Sequence, residues 1–537
     1  MSAPDLWCTY AATRTLAWLG RADEVVDREG TQHYLIGRAN ADGGYAWSRG
    51  MPSDAWATFY CTQSLTDMRL PVPRVERTER WLESTWSGDA YAMTPGQEPD
   101  VWATHFSSRS ATSVCRNGVP DRGRLLRWLG ALQTREGGLT WSPEHSTADV
   151  RACHYGVAAW HAVGPAEPPW DVPALLRWIR NRQDADGGIR FSPDADVPCM
   201  WAVYRATAAL ALLGAQPDRP VEPWVMARRG PRGAFVRWDG YGVEDVWASF
   251  CAVGALRATG CATASISDSV VARLNELACD GGGYTYREPE AAADALSTAS
   301  AVMLGRAGAE AVSWLESCQM PNEGGVMYMP GRGSEVRCTL WAVAAGAFKD
   351  SPAGAARILD WLRCLQNPEG GFGYWEGRGS DPVSTSAAVE IISLLGADLT
   401  DVLDPRALAD WTKRCVADTL RTGLQVARIR QQLGKPDTAG VRAILDRHCV
   451  RGGGWANEGS RIPDLLSTYE AVATIDRHAL AVDTDHLGRF VERVHTDRGT
   501  AWSPLAPATG DPLADCLGSL LRARVRGRPL VAALTLS

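Results

Sequence analysis

WLRCLQNPEGGFGYW (residues 361–375), followed after a short polar stretch by DPVST (381–385), carries the pattern on which the whole chain is built. An apolar helical turn ends in Gln, an acidic residue and Gly-Gly follow, and Asp then precedes a new apolar stretch. The first half recurs as WLGALQ (128–133), WIRNRQ (178–183) and WLESCQ (314–319), each followed by Glu or Asp and Gly-Gly; residues 40–44 and 452–455 are relatives. The second half recurs as DLWCT from Asp5, DAWAT from Asp54, DVWAT from Asp100, DVWAS from Asp245, DALST from Asp294, DTLRT from Asp418 and DLLST from Asp464. Weaker copies begin at Asp149 (DVRAC), Asp196 (DVPCM), Glu335 (EVRCT) and Asp511 (DPLAD), and most copies lie 41 to 49 residues apart. Asp satisfies orphan N–H groups at a helix start, and Gly supplies the positive φ at which a helix stops. The Ala- and Leu-rich stretches between them fit helix, not alternating strand. A hairpin of this size cannot bury its apolar face alone, so the repeats must stack. About twelve hairpins divide into two rings of six or run on as an open solenoid, which the count alone does not separate, and the chain is expected to be all-α.

The 537 residues carry a net charge of −7 and no basic run, which excludes an electrostatic nucleic-acid surface. The fourteen Cys form no CxxC pair, and many sit in apolar helical runs, so buried free thiols are expected. No run of 18 apolar residues and no basic-then-apolar leader is present, from which a cytoplasmic placement is expected. The 23 Trp are unusual for the length.

The W-L-x-x-x-Q and Gly-Gly segments resemble the QW repeats of squalene-hopene cyclases and class II diterpene cyclases. They also resemble the repeats of protein prenyltransferase β subunits, whose helices often open with a D-V-R like Asp149-Val150-Arg151. The resemblance spans essentially the whole chain. It implies a double (α/α) toroid: residues 1–25 with 241–537 as the catalytic-type barrel, and 26–240 as an inserted second barrel. The implied pocket lies between the barrels and opens on the second.

Class II cyclases protonate an alkene with the middle Asp of D-x-D-D-T-A, held neutral by its surroundings. Aligned on Thr298, this chain has Asp294 in the first position but Leu296 where the donor belongs. An acid is therefore sought among Asp294, Asp381 and Glu335, which open successive repeats. Carbocations need aromatic faces and no nucleophile; Trp247, Tyr284, Tyr286, Tyr328, Tyr374, Trp375 and Trp455 are candidates for that wall. Arg332, Arg337 and Arg378 are candidates to hold a diphosphate. Asp149, Cys153 and His154, and likewise Glu335 and Cys338, fall on one turn, yet neither set supplies the three or four converging ligands zinc needs, so no metal site is expected. Glu288 and Glu290 form the densest acidity before any repeat start. No aspartate-rich metal box, Walker loop or dinucleotide motif appears; Mg2+ enters only as a diphosphate counter-ion.

The expected activity is cyclisation of a linear prenyl diphosphate by an atypical class II terpene cyclase-like enzyme. The alternatives are a prenyltransferase-like enzyme joining an isoprenoid to an acceptor, and a non-catalytic toroid binding a hydrophobic ligand or a protein partner. Monomer and homodimer are both left open.

Overall fold

The computed structural model describes residues 4–47, 52–164, 167–193, 198–237, 244–285, 294–320, 323–328, 334–374, 380–415, 417, 419–457, 462–508, 510–530 and 532–536. Twelve helices begin at the repeat's capping residue and form the inner elements. We number these α1 (Leu6–Trp18), α2 (Ala55–Asp67), α3 (Val101–Ser113), α4 (Val150–Ala162), α5 (Met200–Leu212) and α6 (Val246–Ala258) in the first unit. The second holds α7 (Ala295–Met303), α8 (Val336–Ala344), α9 (Pro382–Leu394), α10 (Leu420–Gln432), α11 (Leu465–Arg477) and α12 (Pro512–Val525). Each inner helix packs on the next, and α6 packs back on α1 as α12 does on α7. Both units are thus closed six-membered rings. The connecting helices, such as Arg122–Gly130, Val172–Arg180 and Pro405–Arg414, form the outer layers. Strand among the described residues is confined to a two-residue pairing of His495–Thr496 with Gly499–Thr500 and to single bridges at the turns.

Every part of the repeat has a mechanical task. The opening Asp caps its helix: carboxylate oxygens of Asp54, Asp100, Asp245 and Asp464 accept a backbone N–H three residues on at 2.7–2.8 Å, each cap contributing about 1 kcal/mol. The Thr four residues later reaches back to the preceding turn. Thr58, Thr104, Thr339, Thr385 and Thr468 accept, through Oγ1, the N–H of Tyr45, Tyr91, Val326, Phe372 and Trp455 at 2.9–3.1 Å. In the DVRAC copy the Cys153 thiol sulfur takes that place, accepting from Leu139 N–H at 3.3 Å. The motif Gln clamps successive repeats. Gln133 Nε2 donates to the carbonyls of Gly137 and Asp171, both at 3.0 Å, while its Oε1 accepts from Asp171 N–H at 2.8 Å. Gln183 and Gln366 repeat the three bonds one and five units along.

The two glycines differ. Gly137 has φ 101° and serves the turn; Gly138 is kept bare by packing, because a Cβ there would lie 2.5 Å from Ala148 Cβ and 2.6 Å from the Trp178 ring. Gly188 meets Trp224, Gly325 meets Trp361 and Gly371 meets Trp411 in the same way. The motif Trp is therefore the lid of the preceding repeat's turn. The turn itself is a tight hairpin, Gln133 bridging to Leu139, and not the simple helix stop expected from Gly-Gly.

Three expectations change. The leading helix belongs to the first ring, not to the barrel of residues 241–537: Asp5 N–H donates to the Tyr284 carbonyl at 2.9 Å and Thr9 Oγ1 accepts from Tyr284 N–H at 3.0 Å. The described residues up to 285 accordingly form one packing unit and those from 294 the other, so the division does not fall at 240. In the fifth copy the cap is Cys199, not Asp196, and in the tenth it is Thr419, not Asp418. Among the described residues every Cys is a free thiol, most of them buried, and no helix is long and apolar enough to cross a membrane.

Gly138→Ala is expected to destabilise the first ring by about 1–3 kcal/mol through overpacking, and Gln133→Ala by a similar amount through orphaned backbone groups. Urea denaturation followed by tryptophan fluorescence measures both; an unchanged midpoint for either would overturn the clamp.

Candidate functional site

Within the first ring the residues two, five and nine places after each cap face inward, and they stack in tiers. The first tier is Trp7, Trp56, Trp102, Arg151, Trp201 and Trp247. Ring centroids are 4.5 Å apart for Trp7 and Trp247 and 4.3 Å for Trp56 and Trp102. Trp7 also reaches Trp201 at 6.1 Å, although α1 and α5 are not neighbours. Indoles from several helices thus converge and close this end. The second tier is Tyr10, Phe59, His105, His154, Tyr204 and Phe250. Tyr10 stacks on Tyr60 at 4.1 Å and Tyr204 meets Phe250 edge-on at 5.2 Å.

The third tier changes character. Arg14, Gln63 and Arg109 stand on α1, α2 and α3, but α4, α5 and α6 present Ala158, Ala208 and Gly254. Small residues on one half leave a cavity of about 450 Å³ at the C-terminal ends of the inner helices. Tyr10, His154 and Tyr204 rise into it from the second tier, and Trp18, His161 and Arg257 join the wall. Gly254 is needed for close approach, since a Cβ there would lie 2.6 Å from the Tyr204 ring.

The cavity is cationic, with Arg14, Arg109 and Arg257 on its wall. Arg109 lies 4.5 Å over the Phe59 ring with Nη1 3.4 Å from His105 Nε2, and burial lowers its proton affinity. Arg205, 6% exposed, sits 4.9 Å from the Tyr155 ring centroid and donates to His154 Nδ1 at 3.1 Å, with its own Nε–H buried and unpartnered. Arg257 Nη1 donates to the Trp18 carbonyl at 2.7 Å. Burial first, and the neighbouring guanidiniums second, hold His105 and His154 well below the usual histidine range. No residue lining the cavity is acidic, but Asp67 stands directly behind it, bonded to the lining Arg14 at 2.5 Å and the lining Gln63 at 3.0 Å. Burial raises the Asp67 carboxyl above the ordinary aspartate range in spite of Arg14, and its Oδ2 is buried without a hydrogen-bond partner.

None of the described sequence-predicted residues lines this cavity. Trp247 is part of the first ring's tryptophan tier. Tyr284 is fully buried as the closing staple of that ring, its hydroxyl accepting from Val26 N–H at 3.1 Å. In the second ring, Asp294, Glu335 and Asp381 stand at the starts of the consecutive helices α7, α8 and α9. Asp294 caps α7 through Ser297 N–H, and Asp381 accepts from both the N–H and the hydroxyl of Ser384. Glu335 makes no capping bond; it pairs with Arg337 at 2.5 Å and accepts the Cys338 thiol at 3.1 Å. The Arg337 guanidinium lies 4.0 Å over the Tyr374 ring. Tyr328 packs against the second ring's core, and Trp455 donates to the Leu445 carbonyl at 3.1 Å and meets His486 edge-on. Tyr286, Arg332, Trp375 and Arg378, with Glu288 and Glu290, lie outside the described residues.

Arginine is what the DVR segment uses to occupy its own acid: Arg151 binds Asp149 through Nε at 2.9 Å and Nη2 at 2.7 Å, while Cys153 serves the Leu139 turn. These partners do not fit a zinc ligand set. No group of three or more His, Cys, Asp or Glu is placed to hold a metal among the described residues.

Sequence reading missed Tyr10, Arg14, Asp67, Arg109 and Tyr204, and weighed His154 only as a metal ligand. The signal was the inward periodicity within each first-ring helix, hidden at the fifth copy by the wrong cap. The neutral histidines also set a pH dependence. A folded-state imidazole with depressed proton affinity leaves the unfolded chain the better proton acceptor. Their contribution is complete above the unfolded value of about 6.5 and declines as the pH falls below it. Calorimetry between pH 7.5 and 5.5 is expected to show Tm falling with acidity, and a shallower fall in a His105→Phe, His154→Phe double variant. Equal slopes would show that the imidazoles are not the cause.

A family model agrees with this architecture. The family model described as the prenyltransferase alpha-alpha toroid domain matches residues 1–55, 45–228, 174–344 and 334–432. Among solved structures, ent-copalyl diphosphate synthase from Streptomyces platensis is similar at 15% identity, over 98% of this chain and 96% of that one, with a TM-score of 0.42. The type II terpene cyclase MstE from Scytonema is similar at 14% identity, over 50% of this chain and 89% of its own, with a TM-score of 0.34. A protein from Actinoplanes shares 15% identity over 48% of this chain and 91% of its own, with a TM-score of 0.36. No curated protein sequence matches. With overlapping matches running from residue 1 to residue 432, the chain belongs to the prenyltransferase alpha-alpha toroid family.

Proposed function

We propose that this chain is a terpene cyclase-type enzyme that takes a linear prenyl diphosphate and cyclises it through a carbocation in the first ring. The observation that carries the reading is the cavity of about 450 Å³ beneath two aromatic tiers, with guanidiniums on its wall and no acidic residue lining it. Its size suits a small ligand. Arg109 and Arg257 supply charge-assisted donors for the diphosphate. Tyr10, Tyr204 and Trp18 offer π faces to a cation.

Asp67 is the proposed acid. When the substrate displaces the Arg14 and Gln63 side chains that stand in front of it, the Asp67 carboxyl proton passes to one alkene carbon, a C–C bond forms from the neighbouring π electrons, and the Asp67 carboxylate recovers a proton from the cyclised cation. Substrate and product are isomers, so no co-reactant is needed. Mg2+ accompanies the diphosphate as a counter-ion only.

A second location for the acid has its own support. Asp511 caps α12, beside α7 in the second ring; burial raises its carboxyl, and the charge of Asp294 adds to the rise. The acid drawn from Asp294, Asp381 or Glu335 would then act at those helix starts.

Incubation with C10, C15 and C20 prenyl diphosphates, with product analysis by gas chromatography and mass spectrometry, tests the activity. Asp67→Asn is expected to lower turnover at least ~100-fold with substrate binding retained, and Arg109→Gln to weaken binding of the diphosphate but not of the parent alcohol. Loss of turnover in Asp294→Asn with Asp67→Asn active would move the acid to the second ring. Binding without product from any chain length would favour the ligand-binding toroid. Product only when an acceptor is added would favour prenyl transfer.

A further inference from the structure

The lumen of the second ring is filled by the chain itself. Helix α12 ends at Val525, Gly527 turns with φ 83°, and residues 526–529 are exposed. Beyond them, Ala532-Ala533-Leu534-Thr535-Leu536 form neither helix nor strand, yet all five are buried, Thr535 completely. Three bonds hold their backbone. The Tyr469 hydroxyl donates to the Ala532 carbonyl at 2.5 Å, Ala533 N–H donates to Glu390 Oε1 at 3.1 Å, and the Trp341 indole N–H donates to the Thr535 carbonyl at 3.1 Å.

Those partners stand on opposite sides. Trp341 is on α8 and Tyr469 on α11, three places apart in a closed ring of six, and Glu390 is on α9. A pentapeptide bonded to both α8 and α11 must lie inside the ring. Arg477 of α11 also binds Glu390, so one carboxylate joins the segment to the far wall.

The seat is mixed: Ala532, Ala533, Leu534 and Leu536 join the second ring's hydrophobic core, while several buried polar groups of the ring and of the segment are incompletely matched. Glu470, fully buried, binds Arg428 and Gln425 on the neighbouring α10. Thr535 Oγ1, Gln425 Oε1, and Nε and Nη1 of Arg428 are buried without hydrogen-bond partners. A permanently built strand leaves few such groups unmatched, because each costs about 1–3 kcal/mol. The segment is joined to α12 through the exposed residues 526–529 and adds no regular structure to the ring.

We infer that residues 532–536 are a detachable intramolecular plug, docked in the second ring's lumen and able to leave it without unfolding the ring. When docked, the plug denies that lumen to any other ligand.

A protease recognition sequence inserted between Gly527 and Arg528 of the full chain lets the ring fold with the plug in place before the link is cut. After cleavage the peptide is expected to stay bound through gel filtration and to exchange with an excess of labelled synthetic peptide of residues 528–536. The uncut chain should exclude that label. Tyr469→Phe should speed release about 3- to 10-fold, the equivalent of one hydrogen bond. Unfolding of the ring on cleavage, or no exchange over days, would overturn the proposal. Hydrogen exchange on the uncut chain gives an independent reading. Amides of 532–536 should exchange faster than the central amides of α8 and α11, and equal protection would mark a fixed structural strand.

Discussion

Each repeat is held by a clamp that reaches into the next one, and the architecture depends on it. The Gln side chain bonds its own Gly-Gly turn and the first residues of the following outer helix, while the Trp of that helix covers the second glycine. A single hairpin has neither partner. Stability therefore comes from nearest neighbours, and the free ends of a line of six would each lack one clamp. Closure removes both ends. In the first ring it is made by Tyr284, whose backbone takes from Asp5 and gives to Thr9 the bonds that elsewhere join consecutive repeats.

The same frame encloses two different interiors because the clamp residues and the inward residues are separate sets. Asp, Thr, Gln, Gly and Trp of the motif face neighbours; the places two, five and nine after the cap face the centre. At the first of these the first ring has five tryptophans and Arg151, whereas the second has Leu296, Arg337, Val383, Arg421, Leu466 and Leu513. At the third the first ring mixes arginine with alanine and glycine, and so opens a cavity. The second ring places Glu390 and Arg428 there beside Met303, Ala344, Ala473 and Leu520, and Glu390 accepts a peptide N–H while Arg428 binds Glu470.

The fold was legible because the motif is mechanical: Asp54 caps and Gln133 clamps by local geometry that spacing alone reveals. The site was less so. Tyr284 and Trp455 look like pocket aromatics in sequence because they flank Gly-Gly turns, yet a residue there is taken by the neighbouring repeat. Asp67 carries no motif at all. It is the last residue of α2, four places beyond Gln63, and its meaning arises only when the packing of α2 on α1 brings Arg14 beside it. The missed caps at Cys199 and Thr419 had the same origin: an acidic residue one or three places earlier is the better capping residue by type, but packing of the helix sets the register.

Charge in the first ring's interior is unbalanced. Arg109 and Arg205 form no ion pair among the described residues; their partners there are neutral imidazoles and aromatic rings. A buried cation without a counter-charge costs several kcal/mol, and ring faces offset only about 0.5–2 kcal/mol each. Burial, and after it the same arginines, depress the proton affinity of His105 and His154, which disfavours their sharing the charge. An anionic ligand lowers that cost as soon as it binds, and a diphosphate does so with several acceptor oxygens. The aromatic faces that steady the guanidiniums are also the surfaces over which a carbocation is stabilised. Under the proposed function, one arrangement of residues would thus serve both ends of a prenyl diphosphate, the anion at the wall and the hydrocarbon cation over the rings.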